Sequence, residues 1–169
     1  SIATYYILTT AEASSNLARF DGVQYGFRKK ADTPIEMTTK TRTMGFGDEV
    51  KRRILLGTFV LSSGYYDAYF EKAQRMRRLI QEDFKSAFLE VDLLLTPTVP
   101  TLPFKIGEKT SDPLSMYLSD IFTVPMSLAG VPSLNIPISR IDNDLPICIQ
   151  AVGNFFKENN LFNFAENLK

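Results

Sequence analysis

Asp48 to Pro97 reads DEVKRRILLGTFVLSSGYYDAYFEKAQRMRRLIQEDFKSAFLEVDLLLTP, and the change of rhythm inside this stretch decides the fold. Val50, Ile54, Leu61, Tyr65, Tyr69, Ala73, Met76, Ile80, Phe84 and Phe88 recur at steps of three or four, with one step of seven spanning a turn expected at Gly57-Thr58. Such spacing makes an apolar stripe along one side of a helix. Ser62-Ser63-Gly64 interrupts the stripe with two cap-prone residues and a glycine, which predicts one helix before it and a longer one after it. The rhythm then changes: Val91 to Leu95 is a short apolar run closed by Thr96-Pro97, the pattern of a buried strand.

Working outward, Tyr6, Thr10, Ala13 and Leu17 lie at helical spacing within Tyr5 to Arg19, and Asp21-Gly22 ends that helix with a turn where a positive φ is cheap for glycine. From Val23 to Gly47 the composition is polar, so a surface loop is expected around one short helix after Pro34. Beyond Pro97 the sequence predicts a proline-rich loop to Pro113 and a helix from Pro113 to Phe122. Strands follow at Leu134 to Ile138 and Ile147 to Val152, and a last amphipathic helix from about Asn159 to the end carries Leu161, Phe164 and Leu168. Helices interleaved with short apolar strands make the fold α/β with a mixed or parallel sheet. Gly130-Val131-Pro132-Ser133 reads as a backbone bend, and Thr96-Pro97-Thr98-Val99-Pro100 as a loop over a strand end that either lines a site or simply turns the chain.

Composition narrows the chemistry. The 169 residues, 44% hydrophobic, suffice for one domain or part of a larger one. Lys plus Arg equals Asp plus Glu at 19 each, so no long-range field draws the chain to nucleic acid or an anionic membrane. The basic run Lys72, Arg75, Arg77 and Arg78 is flanked by Glu71 and Glu82 at helical spacing, so pairing and solvation account for it more simply than RNA does. No apolar run is long enough to span a bilayer, and a soluble compartment is expected. There is no histidine, which removes Ser-His-Asp and Cys-His arrangements, and the one cysteine cannot build a zinc site. Cys148 sits in the apolar stretch Leu145 to Ile149 and reads as a buried thiol.

Several runs carry a resemblance. Tyr5-Tyr6-Ile7-Leu8 with Ala11 to Gly22, Gly45-Phe46-Gly47-Asp48-Glu49-Val50-Lys51-Arg52-Arg53-Ile54, and Leu61 to Tyr69 resemble the A subunits of glutamyl-tRNA(Gln) amidotransferases, within the amidase signature family. Leu95-Thr96-Pro97-Thr98, Asp112-Pro113 through Asp120, and Leu145 through Gln150 agree, in order along nearly the whole chain. The resemblance implies an amidase-signature fold, a mixed sheet flanked by helices, with 1–169 as the C-terminal part of a single amidase domain. Members of that family use a serine nucleophile, a second serine in a cis peptide and a lysine, carried in segments towards the N-terminus. Ser62-Ser63-Gly64 is followed by Tyr65-Tyr66 and lies in the helical stripe, so it reads as a helix break. No catalytic residue is therefore expected within this chain; those groups are expected upstream.

The resemblance also implies roles. Arg53 matches an arginine that holds the α-carboxylate of glutamine, Asp120 an aspartate that holds its α-ammonium, and Tyr5 a tyrosine of the same pocket. The chemistry suits them: a guanidinium binds a carboxylate through two parallel hydrogen bonds, and an ammonium near an apolar wall needs a carboxylate partner. The bland readings are that Arg53 is one of three solvated charges with Lys51 and Arg52, Asp120 a helix cap, and Tyr5 and Tyr6 core aromatics. The implied activity is release of ammonia from glutamine, after which a B subunit with ATP and magnesium converts Glu-tRNA(Gln) to Gln-tRNA(Gln), with a C subunit completing the assembly. The chain itself needs no cofactor or metal and meets the tRNA only through the B subunit. The implied location is the bacterial cytoplasm, or an organellar matrix or stroma. The alternatives are an amidase of the same family with another amide substrate, and a noncatalytic binding or scaffold module.

Overall fold

The computed structural model of the chain describes residues 1–108, 113–141 and 145–168. The backbone divides into two compact units, Thr4–Gln74, and Ser1–Ala3 with Arg75–Lys169. No helix among the described residues is long and apolar enough to cross a membrane.

The first unit is helical. It contains most of α1 (Ile2–Leu17), then α2 (Pro34–Gly45) and α3 (Asp48–Val60), and ends in a π-helical turn, Tyr66–Glu71, that runs straight into α4 (Lys72–Ala87). The helix break expected at Ser62-Ser63-Gly64 is present: Gly64 has φ +87°, and Ser62 Oγ donates to the Phe59 carbonyl at 2.7 Å. α2 starts as its sequence requires. Pro34 occupies the first turn, and the Thr33 hydroxyl accepts from the Glu36 N–H at 3.2 Å, which satisfies an amide that the helix cannot.

The polar segment before α2 is more firmly tied than its composition suggests. Gly22 has φ +87°, and a Cβ there would stand 2.7 Å from Thr41 Oγ1, so glycine is needed on both counts. The buried Thr41 hydroxyl accepts from the Lys29 N–H at 3.0 Å. Arg42 donates from Nη1 to the carbonyls of Leu17 at 2.8 Å and Phe20 at 3.1 Å, capping the end of α1, and its guanidinium lies 5.0 Å over the Phe46 ring.

The approach of α3 to α1 is closer still. A Cβ built on Gly57 would lie 1.9 Å from the Thr10 carbonyl oxygen and 2.8 Å from Ser14 Oγ, so the two backbones touch at a point where no side chain fits. Thr10 is fully buried there, its hydroxyl returned to the Tyr6 carbonyl at 2.6 Å.

The second unit builds its core on a sheet. β1 (Leu93–Pro97), β2 (Ser133–Ile141) and β3 (Leu145–Gly153) are ordered β1-β3-β2, with Leu95 opposite Ala151 and Ile136 opposite Ile149. Both pairings are antiparallel, where the sequence suggested a mixed or parallel sheet. For β2 and β3 the reason is chain length, since the step from Ile141 to Leu145 allows a hairpin and excludes the long crossover that a parallel pair requires. The register shifts between Pro137 and Ser139, a bulge where proline has no N–H to give. Phe88, Met126, Ala129, Val131 and Val152 form the core, with Ile80, Phe84, Leu94 and Phe155 packed on it, so Ile80, Phe84 and Phe88 of the stripe face inward as their spacing predicts, while Met76 of the same stripe is exposed.

Five expectations need correction. Gly57-Thr58 lies inside α3 and makes no turn. Val91 to Leu95 is not buried throughout: Leu94 packs on the core while Val91, which precedes β1, and Leu95 are exposed. The helix from Pro113 stops at Leu118 as α5, and a second one, α6 (Val124–Ala129), follows a turn; Pro125 sits at its start, where the missing N–H costs nothing. Both C-terminal strands are longer than their apolar cores, and the last helix, α7, is Glu158–Glu166, so it stops short of Leu168. Cys148 is half-buried on β3 and not sealed in the core. Gly130, with φ +77°, closes α6 and makes the bend expected there.

The contact at Gly57 predicts a sharp contrast between two glycines. Gly57→Ala forces α3 off α1 and should cost about 1–3 kcal/mol or more of stability. Gly45→Ala, at the end of α2 with only a 3.4 Å contact to Phe27, should be neutral or stabilising by up to about 1 kcal/mol. Denaturant midpoints of the two variants measure the difference, and equal shifts would contradict the close crossing.

Candidate functional site

α3 is launched from Gly47, with Asp48 and Glu49 in its first turn, where acidic side chains complement the positive end of the helix dipole. Four residues on from Glu49, Arg53 stands on the same face. Its Nε donates to Glu49 Oε1 at 3.0 Å, in the acid-before-base order that favours such pairs. The other oxygen of Glu49 accepts from Arg52 Nη1 at 2.5 Å, and Lys51 pairs with Asp48 at 3.4 Å.

The three neighbouring cations therefore differ. Lys51 and Arg52 are solvated ion-pairing groups on the helix surface, as the bland reading has it. Arg53 alone lies against a ring, its guanidinium carbon 5.5 Å from the centre of Tyr6. This meeting follows from the crossing of the helices, since Arg53 is one turn before Gly57 and Tyr6 one turn before Thr10. Tyr5 stacks edge-on to Tyr6 with ring centres 5.4 Å apart, so the two phenols and the guanidinium form one cluster in which Tyr6 makes the direct contact.

The charge on Arg53 is secure. Partial burial pulls its pKa down, but the hydrogen bond and charge of Glu49, joined by the nearby phenols of Tyr6 and Tyr5, outweigh that effect and raise it. The terminal nitrogens Nη1 and Nη2 make no hydrogen bond among the described residues. A half-exposed guanidinium with one edge anchored and its outer edge open is suited to a carboxylate.

Asp120 belongs to the second unit, in the turn between α5 and α6. Its backbone carries the turn: its carbonyl accepts from the N–H groups of Thr123 at 3.1 Å and Val124 at 3.0 Å, and its own N–H donates to Tyr117. The carboxylate is exposed and makes no hydrogen bond or ion pair among the described residues, so capping is done by the main chain and the side chain remains open.

Gln150 is a residue that sequence reasoning missed. Buried on β3, its amide Nε2 donates to the Phe122 carbonyl at 2.8 Å and to Thr96 Oγ1 at 3.2 Å, which ties the turn carrying Asp120 to the sheet. The one signal was a glutamine inside an apolar strand, which must find partners. Two cations of α4 are likewise structural or solvated. Arg77 Nε donates to the Leu128 carbonyl at 3.0 Å, with Gln81 beside it on the Ala129 carbonyl, so they cap α6, while Glu82 pairs with Lys85 at 3.0 Å. Beyond the end of β1, residues 97–103 line an open cleft of about 560 Å³ together with Asn135 and Cys148, and the Thr98 hydroxyl is hydrogen-bonded to the Asn135 side chain.

Residues 1–162 match the amidase family, and the chain belongs to it. The A subunit of the glutamyl-tRNA(Gln) amidotransferase of Microcystis aeruginosa is 59% identical over 97% of this chain, and that of Pelagibacter ubique 57% over 98%. In each case the match covers 34% of the relative, so the chain spans about a third of the length of the curated relatives it matches. The crystal structure of the corresponding protein of Thermotoga maritima is 39% identical, with a TM-score of 0.57 over 95% of this chain and 32% of that one. A solved amidase at 22% identity has a TM-score of 0.68 over 96% of this chain and 33% of its own, which supports the amidase-signature α/β fold alone.

Replacing Gln150 by Ala leaves the Phe122 carbonyl without its donor, and should cost about 1–3 kcal/mol of stability. A urea-unfolding midpoint equal to that of the parent protein would contradict the tie between β3 and the Asp120 turn.

Proposed function

We propose that this chain is the C-terminal third of the glutaminase subunit of a glutamyl-tRNA(Gln) amidotransferase, and that it supplies contacts that hold glutamine. The observation that carries this reading is the 59% identity to such a subunit across 97% of the chain. The open outer edge of the Arg53 guanidinium supports it. In this reading Arg53 takes the α-carboxylate of glutamine, the open carboxylate of Asp120 takes the α-ammonium, and Tyr5, edge-on to Tyr6, lines the same substrate.

The hydrolytic serines and lysine belong, on this reading, to the part of the subunit that this chain does not span. Ammonia released from glutamine passes to a B subunit, which uses ATP and magnesium to amidate Glu-tRNA(Gln), with a C subunit in the assembly. The site residues supplied here position substrate and transfer no proton or acyl group, so purified chain 1–169 should release no ammonia from glutamine.

In the complete enzyme, Asp120→Asn keeps the side-chain shape and removes its charge, which should cost about 2–5 kcal/mol of glutamine binding at a desolvated site. Glutamine-dependent amidation should collapse while ammonia-dependent amidation survives, and Arg53→Ala should behave in the same way. Equal losses with both nitrogen donors would mark the two residues as structural and withdraw the reading.

A further inference from the structure

Glu49 divides its two oxygens between neighbouring arginines, and the division is informative. Oε1 accepts from Nε of Arg53 at 3.0 Å, and Oε2 from Nη1 of Arg52 at 2.5 Å. The contact to Arg53 is side-on. It uses the nitrogen furthest from the tip and leaves Nη1 and Nη2, the pair that matches a carboxylate end-on, without a hydrogen bond among the described residues. Tyr6 lies against one face of the same guanidinium at 5.5 Å. With Nε held and one face closed, the fork can aim in few directions, and a ligand need not freeze the several rotatable bonds of a free arginine.

We propose that Glu49 is a positioning residue that aims the guanidinium of Arg53 at the α-carboxylate of glutamine, an inference that rests on the glutamine reading given above. A carboxylate so close to the fork could instead compete with the substrate for its charge. Arg52 decides against that: it occupies the other oxygen, so two guanidinium groups share one carboxylate and the cluster keeps one net positive charge. A purely stabilising role is also the weaker account, because an ion pair as exposed as this one contributes little to folding.

The test uses the complete amidotransferase containing this segment, with Glu49→Ala, Glu49→Gln, Arg53→Ala and the Glu49→Ala/Arg53→Ala double variant. Steady-state kcat and KM for glutamine, the ratio of glutamine- to ammonia-supported amidation, and thermal unfolding are measured for each. Glu49→Ala should raise the KM for glutamine about tenfold with little change in kcat, as expected when a binding group loses its aim. Glu49→Gln, whose amide oxygen still accepts from Nε, should recover most of that loss, and the double variant should be no weaker than Arg53→Ala. If Arg53→Ala raises KM and Glu49→Ala does not, or if their effects multiply in the double variant, Glu49 does not act through Arg53 and the inference is overturned. It is also overturned if Glu49→Ala lowers amidation equally with both nitrogen donors and unfolds earlier, since that marks a folding role. An unchanged KM in Arg53→Ala would instead remove the carboxylate reading of Arg53 itself, and this inference with it.

Discussion

The cluster of Arg53 with Tyr6 and Tyr5 depends on one contact, the approach of the Gly57 backbone to the carbonyl of Thr10. Two helices normally stand 8–10 Å apart because side chains fill the space between them. Here the absence of a Cβ on one helix, and a threonine folded back onto its own helix on the other, let the two backbones touch. The guanidinium of Arg53 and the ring of Tyr6 each lie one turn away from that point, so the geometry of a charged group is set by a residue that has no side chain. A wider crossing would keep every residue of the cluster and lose the cluster.

The sequence carried much of this and concealed the rest for physical reasons. The helical stripe through Ile80, Phe84 and Phe88 could be read because a one-sided helix must repeat with its own period, and these side chains do face the core. Sheet direction was harder, since short apolar runs look alike in parallel and antiparallel pairs, and only the brief step from Ile141 to Leu145 separates the two. α6 was invisible because six residues cannot display a period.

The candidate site divides in the same way. Arg53 and Asp120 stood out through chemistry and resemblance, and the structure distinguishes Arg53 from Lys51 and Arg52 by giving it alone a ring to lie on. Which tyrosine would touch it could not be read from Tyr5-Tyr6, since adjacent residues on a helix point about 100° apart and a shift of one changes the answer. Glu49 and Gln150 were missed because each acts through another group: one anchors a nitrogen of Arg53, the other a carbonyl near Asp120. Supporting residues leave no signature of their own in a single sequence.

The strand order β1-β3-β2 has a consequence for how this sheet can grow. With β3 in the middle, both outer rims present backbone groups that no described strand pairs with. The rims are unequal. β2 carries Pro137 and a register shift beside it, a local flaw that discourages an incoming chain, whereas Leu93-Leu94-Leu95 of β1 is regular, apolar and has an N–H at every position. Strand addition is therefore favoured on one side, which gives the small sheet a direction of extension: along Leu93-Leu94-Leu95 of β1 a further strand can continue the ladder, and along β2 it meets the bulge.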